Sequence, residues 1–209
     1  MNKKYLFTIL PCTLLASIYL ITSASSTNFQ FNDLITEKES KLLEATDEVI
    51  IESNEFEITN SEFIEFKENL KITNELNKTD ITYSDTEILN ELIKNELTDS
   101  YIESQNIYVS DEEVLEYANQ TKEAFENSSV PELRDLHLAL AAELDVAPED
   151  YFTHPTILEE YRKIVAGEKL TEEMFEEGIL TDAFSAEDFI ENLYDESEPY
   201  LEINQSLYK

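Results

Sequence analysis

The chain has 209 residues, with 47 Asp and Glu against 14 Lys and Arg. So lopsided a charge excludes a phosphate-backbone binder, and no basic stripe or aromatic-plus-Arg ladder offsets it. Two glycines exclude Gly-rich phosphate loops and a turn-rich all-β fold, while 11 Phe and 11 Tyr in a chain that is 42% hydrophobic supply enough apolar matter for a packed core.

The chain opens "MNKKYLFTILPCTLLASIYLITSASS". Lys3 and Lys4 form a basic start, Tyr5 to Ile21 is uncharged and mostly apolar, and Thr22–Ala24 offers small residues. Residues 1–24 read as an export signal cut after Ala24 or, at the ~17-residue lower limit for a span, as a retained membrane anchor. Cys12 lies inside this run directly after Pro11. It reads as one small apolar residue of the signal, and a mature chain without it has no disulfide. All 47 acidic residues follow residue 24. The exported part is therefore strongly anionic. Such a surface keeps a protein soluble, and it also attracts basic clients.

Residues 25–46 comprise a tether, "SSTNFQF", and a weak first helix over 33–46 with Leu34, Ile35, Leu42 and Leu43 on one side. "DEVIIES" (47–53) reads as a short strand. "NEFEIT" (54–59) reads as a turn and a second strand. Thr59 or Asn60 caps the next helix, which carries Phe63, Phe66 and Leu70. Ser84 with Glu87 forms a capping box for a long helix whose stripe is Leu89, Ile93, Leu97 and Tyr101, widened by Ile88 and Leu92. "QNIYVS" reverses the chain, and Ser110 with Glu113 opens another helix with Val114, Ala118 and Phe125 inward. A helix from Pro131 carries Leu133, Leu136, Leu140 and Leu144. Residues 145–155 form a joint around a short helical turn. A helix from Pro155 carries Ile157, Tyr161 and Ile164 and runs toward Gly178, a last short helix covers 185–194, and "YLEINQS" (200–206) reads as a short strand.

Chemistry is sparse. His137 lies among leucines and reads as a core or helix-surface residue. His154 precedes Pro155 and reads as shaping a helix start. Neither HExxH nor CxxC spacing occurs, and no GxSxG elbow is present. Acidic pairs such as Glu112–Glu113, Glu159–Glu160, Glu172–Glu173 and Glu176–Glu177 are too many for any one to stand out. The sequence singles out no catalytic, cofactor-binding or metal-ligating residue, and client-binding residues cannot be picked from it.

Residues 47–118 resemble the N-terminal chaperone domain of exported bacterial foldases of the SurA and PrsA type, a fold akin to the trigger factor/SurA peptide-binding domain. The shared pattern is a strand and turn, Ile58–Thr59, a helix with Phe63, then Leu89–Leu92–Ile93–Leu97 and the entry Ile107–Val109–Ser110–Glu112–Glu113–Val114. "EDYFTHPTILEEYRKIVAGEKL" and "LEIN" resemble members lacking the isomerase domain more loosely. Glu55 stands where the family has a turn glycine, which predicts a looser hairpin. Nothing resembles the Gly-rich parvulin domain, so prolyl isomerase activity rests on family association alone.

The resemblance implies a mainly α fold for 47–209, with a small two- or three-stranded β element near both termini. "VIIES", "FEI" and "YLEIN" are expected to share it. It also implies an exported, extracytoplasmic, ATP-independent chaperone, secreted or anchored at the outer face of the bacterial membrane. Such a chaperone holds unfolded or partly folded exported proteins, basic ones favoured, in an apolar helical cradle, and takes no nucleic acid and no cofactor. An envelope scaffold that binds one folded partner with the same fold is the alternative.

Overall fold

The structure, a computed structural model, describes residues 31–77, 79, 81–128 and 131–204. The signal or anchor at 1–24 and residues 25–30 of the tether lie outside them. Among the described residues no helix is long and apolar enough to cross a membrane. The order is α1 (Phe31–Glu44), β1 (Val49–Glu52), β2 (Glu57–Thr59), α2 (Asn60–Asn77), α3 (Asp85–Ser104), α4 (Asp111–Glu126), α5 (Pro131–Glu143), a 3-10 turn (Pro148–Thr153), α6 (Pro155–Glu176), α7 (Ala183–Ser197), a second 3-10 turn (Glu198–Tyr200) and β3 (Glu202–Ile203). The chain is mainly helical with one small sheet, as the pattern predicts.

The sheet is antiparallel, in the order β2-β1-β3. The last strand returns to pair with the first: Ile51 faces Ile203 and Glu52 faces Glu202. The register between β1 and β2 shifts between Val49 and Ile51. The bulge explains why two consecutive residues, Ile50 and Ile51, are both buried where a regular strand would alternate. The β1–β2 turn closes without a glycine. Ser53 Oγ accepts hydrogen bonds from Glu55 N at 3.1 Å and Phe56 N at 2.9 Å, and Ser53 N donates to Phe56 O at 3.0 Å. The left-handed non-glycine residues among those described are Asn106 and Asp145, so Glu55 needs no positive φ. The looser hairpin predicted from Glu55 gives way to a turn tied by a serine.

Capping is where the sequence pattern and the structure agree in detail. Thr59 Oγ1 accepts from Glu62 N at 3.2 Å while Thr59 N donates to Glu62 Oε2 at 2.7 Å, so Thr59 opens α2. Ser84 with Glu87, and Ser110 with Glu113, form the two predicted boxes. The last helix is longer than the expected 185–194, because Asp182 accepts from Ser185 N and starts it earlier. At the end of α6, Gly178 adopts φ +74°, and Ile179 N donates back to Met174 O at 2.9 Å. A left-handed residue after the last turn stops the helix there.

Apolar side chains gather in two clusters. The smaller joins the sheet to α2 and α3 through Ile50, Ile51, Ile58, Phe63, Leu89 and Ile93. The larger joins the remaining helices around Leu136, Phe152, Tyr161 and Met174. Helices α2 and α3 enter both, α2 with Phe63 and Phe66 in the first and Ile72 in the second, α3 with Ile88 to Leu97 in the first and Ile102 in the second. On α1, Ile35 is buried but Leu43 is 88% exposed, so the inner side expected there does not extend to Leu43.

Because Ile93 is fully buried on α3, Ile93→Ala is expected to cost about 3 kcal/mol of unfolding free energy. Leu138→Ala, at a side chain 45% exposed, is expected to stay within about 0.5 kcal/mol. Urea unfolding of the two variants beside the parent checks this.

Candidate functional site

Helices α3 and α7 pack side by side and leave a groove of about 200 Å³ between them. Glu91, Lys94, Asn95 and Thr98 line it from α3; Glu187, Ile190 and Glu191 line it from α7. Both sets recur at i, i+3, i+4, which places each on one helix face. Asn95 and Thr98 are buried and form the floor. The Thr98 hydroxyl donates to Lys94 O at 2.7 Å and is thereby satisfied. The Asn95 side-chain nitrogen Nδ2 is buried and has no acceptor. A buried donor left without a partner costs about 1–3 kcal/mol.

The rim is charged. Lys94 Nζ donates to Glu191 Oε1 at 2.5 Å across the groove and lies 3.5 Å from Glu91 Oε1. It also stands 5.7 Å from the centroid of the Tyr194 ring. Burial disfavours its charge, but Glu191 and Glu91 outweigh that and raise its affinity for the proton. Lys94 is therefore a fixed cation. Glu187 is exposed and makes no ion pair among the described residues. Three carboxylates and one ammonium leave the groove net negative.

A smaller notch, about 60 Å³, lies beside the β1–β2 turn and is lined by Phe56, Leu97 and Tyr200 among others. The outer face of α4 carries one apolar side chain, Leu115, among Glu112, Glu116 and Glu123. The large apolar residues that reach solvent include Leu43 on α1, Ile81 and Tyr83 together before α3, Tyr108 before α4, Leu138 on α5, Ile179 after α6, and Tyr200 and Ile203 near the end of the described chain.

The residues weighed in the sequence take structural places. His137 Nε2 lies 2.9 Å from Pro148 O, and its ring packs against Phe125, Tyr151 and Phe152. Burial pushes its pKa down. His154 occupies the N-cap position of α6, but its side chain makes no capping bond; its carbonyl accepts from Leu158 N at 2.9 Å. Glu113 caps α4 and accepts from Lys169 Nζ at 2.9 Å, contacts that hold its carboxyl down at about 2. Glu159 and Glu160 pair locally with Arg162 at 3.7 Å and Lys163 at 3.6 Å. Glu172, Glu173, Glu176 and Glu177 are exposed.

One patch escaped the sequence reading. Glu96, Asp99 and Glu103 of α3 share a field with Lys163 of α6; Glu160 of α6 acts on Asp99, and Glu62 of α2 on Glu96. Asp99 Oδ1 is buried without a hydrogen-bond donor. Burial pushes the Asp99 carboxyl up to about 7; Lys163 opposes the rise, and Glu96, Glu160 and Glu103 add to it. Burial also raises Glu96. The signal was in the sequence: Asn95 and Thr98 are polar residues at positions where the apolar stripe of Ile88, Leu92 and Ile102 would continue, and Asp99 adjoins them. No family model matches the chain, and no curated protein or solved structure shows significant similarity to it.

The raised Asp99 has a defined sign. The folded state keeps a proton that the unfolded state releases, so stability falls as pH climbs from the ordinary value of 3.8 to about 7. Asp99→Asn removes that penalty. Its unfolding midpoint is expected to exceed the parent's at pH above 7 and to converge with it near pH 4; the slope that the variant keeps combines the raised Glu96 with the lowered His137, which act in opposite directions. Thermal melts across this range read the difference directly.

Proposed function

We propose that this chain is an exported, ATP-independent chaperone, related to the SurA and PrsA type but without an isomerase domain, that holds unfolded polypeptides reversibly. The α3–α7 groove carries the reading. It is open to solvent, has an apolar wall at Ile190, an unsatisfied amide at its floor and carboxylates at its rim. Such a surface suits the passage of an extended segment, whose main chain offers acceptors and whose side chains are mixed. Individual contacts of this kind are weak, so release needs no fuel. The resemblance over 47–118 and the return of β3 to β1 agree with the same reading. Prolyl isomerase activity is not part of the proposal.

A scaffold that binds one folded partner is the second reading. The modest volumes of the α3–α7 groove and of the notch by the β1–β2 turn, about 200 Å³ and about 60 Å³, favour it, since they fit a short motif better than a long unfolded chain; the depression of about 620 Å³ on the outer face of α4 is lined by polar side chains around the single Leu115.

One experiment separates the two. A basic secreted protein unfolded by reduction is expected to aggregate less when the chain is present at near-equal molar amounts. The protection should weaken as salt rises from about 0.05 M to about 0.5 M, because charge attraction is screened over a shorter distance. An acidic client should gain less. Light scattering measures this. No suppression at any ionic strength, with a single folded partner recovered at fixed stoichiometry from envelope extracts, would replace the chaperone by the scaffold.

A further inference from the structure

The α3–α7 groove combines an unmet hydrogen-bond donor with a net negative rim. Asn95 is 2% exposed, and its Nδ2 donor has no acceptor. Buried donors are nearly always paired, and Asn95 Nδ2 is one of several side-chain atoms here that are not; Asn95 differs in lining a groove, where a shift of the rim side chains would bring its covered donor within reach of an acceptor. The rim supplies the charge. Glu191 and Glu91 share Lys94, and Glu187 has no ion pair among the described residues. A ligand that meets both must carry a hydrogen-bond acceptor and, close by, a cation.

That requirement discriminates between ligand classes. A free anion offers the acceptor but is repelled by three carboxylates. A metal ion offers the charge but has nothing for an amide donor. A polyamine has the same defect. An arginine or lysine residue within an unfolded chain has both features in fixed proximity: a main-chain carbonyl and a cationic side chain on a flexible apolar stem. The stem can lie along Ile190 while the charge reaches the rim. A groove of about 200 Å³ takes one such side chain and its adjoining peptide unit.

The geometry points to the α3–α7 groove as a subsite for a basic residue of an extended polypeptide. Asn95 Nδ2 donates to a main-chain carbonyl, and Glu187, with Glu191 or Glu91, receives the guanidinium or ammonium group. Arginine fits better than lysine, because its planar fork reaches two carboxylate oxygens at once. Lys94 already shows that the rim accommodates a cation, and its contact with Tyr194 holds it to one side of the site. The assignment rests on the polypeptide-holding reading and gives it a subsite with defined specificity.

Fluorescence anisotropy tests it. The full chain is titrated into a labelled, acetylated and amidated unstructured peptide carrying two arginines, and into the same peptide with glutamine in their place. The arginine peptide is expected to bind about tenfold more tightly, as a charge-assisted pair predicts. Glu187→Lys, on the exposed rim, should abolish the preference. Glu123→Lys, the same charge change on the outer face of α4, should leave it intact. Asn95→Leu should weaken both peptides several-fold while preserving the preference for arginine. Equal binding of the two peptides, or an equal loss in Glu187→Lys and Glu123→Lys, overturns the subsite and reduces it to general acidity. If the preference behaves as expected but the chain protects no client from aggregation, the subsite stands and the holding reading falls. If clients are protected and the two peptides bind alike, the reverse holds.

Discussion

Cations are scarce in this molecule, and the helix arrangement depends on where they go. Every described lysine, and Arg162, lies within 4.0 Å of a carboxylate. Several of these pairs join different elements. Lys38, nearly fully buried on α1, reaches Glu65 of α2 at 3.3 Å and Glu143 of α5 at 3.0 Å. Lys41 and Lys71 converge on the buried Glu68 at 2.9 Å and 2.7 Å. Lys94 joins α3 to α7. Exposed ion pairs contribute little individually, about 0–1 kcal/mol. Their role here is different. Acidic helices packed without them would set carboxylate against carboxylate, and apolar burial would have to overcome that repulsion at each seam.

The same economy explains how α3 and α4 join. A helix that buries one face has no local reason to stop at Gln105. It stops because Asn106 takes a left-handed conformation and Ser110 offers a new cap. The reversal is then held from outside. Arg162 of α6 donates to Val109 O at 2.8 Å and to Asp111 Oδ1 at 2.7 Å, and Lys169 donates to Tyr108 O at 2.6 Å and to Glu113. Two of the few cations are thus committed to one connection. They satisfy carbonyls that an irregular segment would otherwise leave unpaired, and they orient α4 against α6.

What could be read from the sequence follows from range. Ser84–Glu87 and Ser110–Glu113 were legible because a capping box is complete within four residues. The inward residues of α4, Val114, Ala118 and Phe125, were legible because helical periodicity repeats over the same distance. The separate strands were legible from β-branched and alternating patches; that they share one sheet was an expectation from the family resemblance, and the register depends on a bulge that no local pattern announces. The Arg162 and Lys169 clamps were not legible, since they span 53 and 61 residues to the carbonyls they bind. Leu43 illustrates a further limit. It looks inward beside Leu42, but periodicity gives only a face, and the helix ends before anything covers it.

The candidate site shows the limit most clearly. Asn95, Thr98 and Asp99 break the apolar stripe of α3, and a stripe interrupted by polar residues normally means that a partner group waits across the interface. Thr98 meets that expectation through its own helix, by bonding Lys94 O. Asn95 Nδ2 and Asp99 Oδ1 do not. One turn of α3 therefore carries both an orphan donor and an orphan acceptor, alongside Asn69 Oδ1 and Thr73 Oγ1 on α2 and His154 Nδ1 at the start of α6, which are also buried without a partner. Sequences tend to violate local rules where function requires it and to compensate elsewhere. Here the compensation is the dense packing of Leu92, Ile93 and Leu97 along the same helix, which keeps α3 in place while its polar side remains unsatisfied.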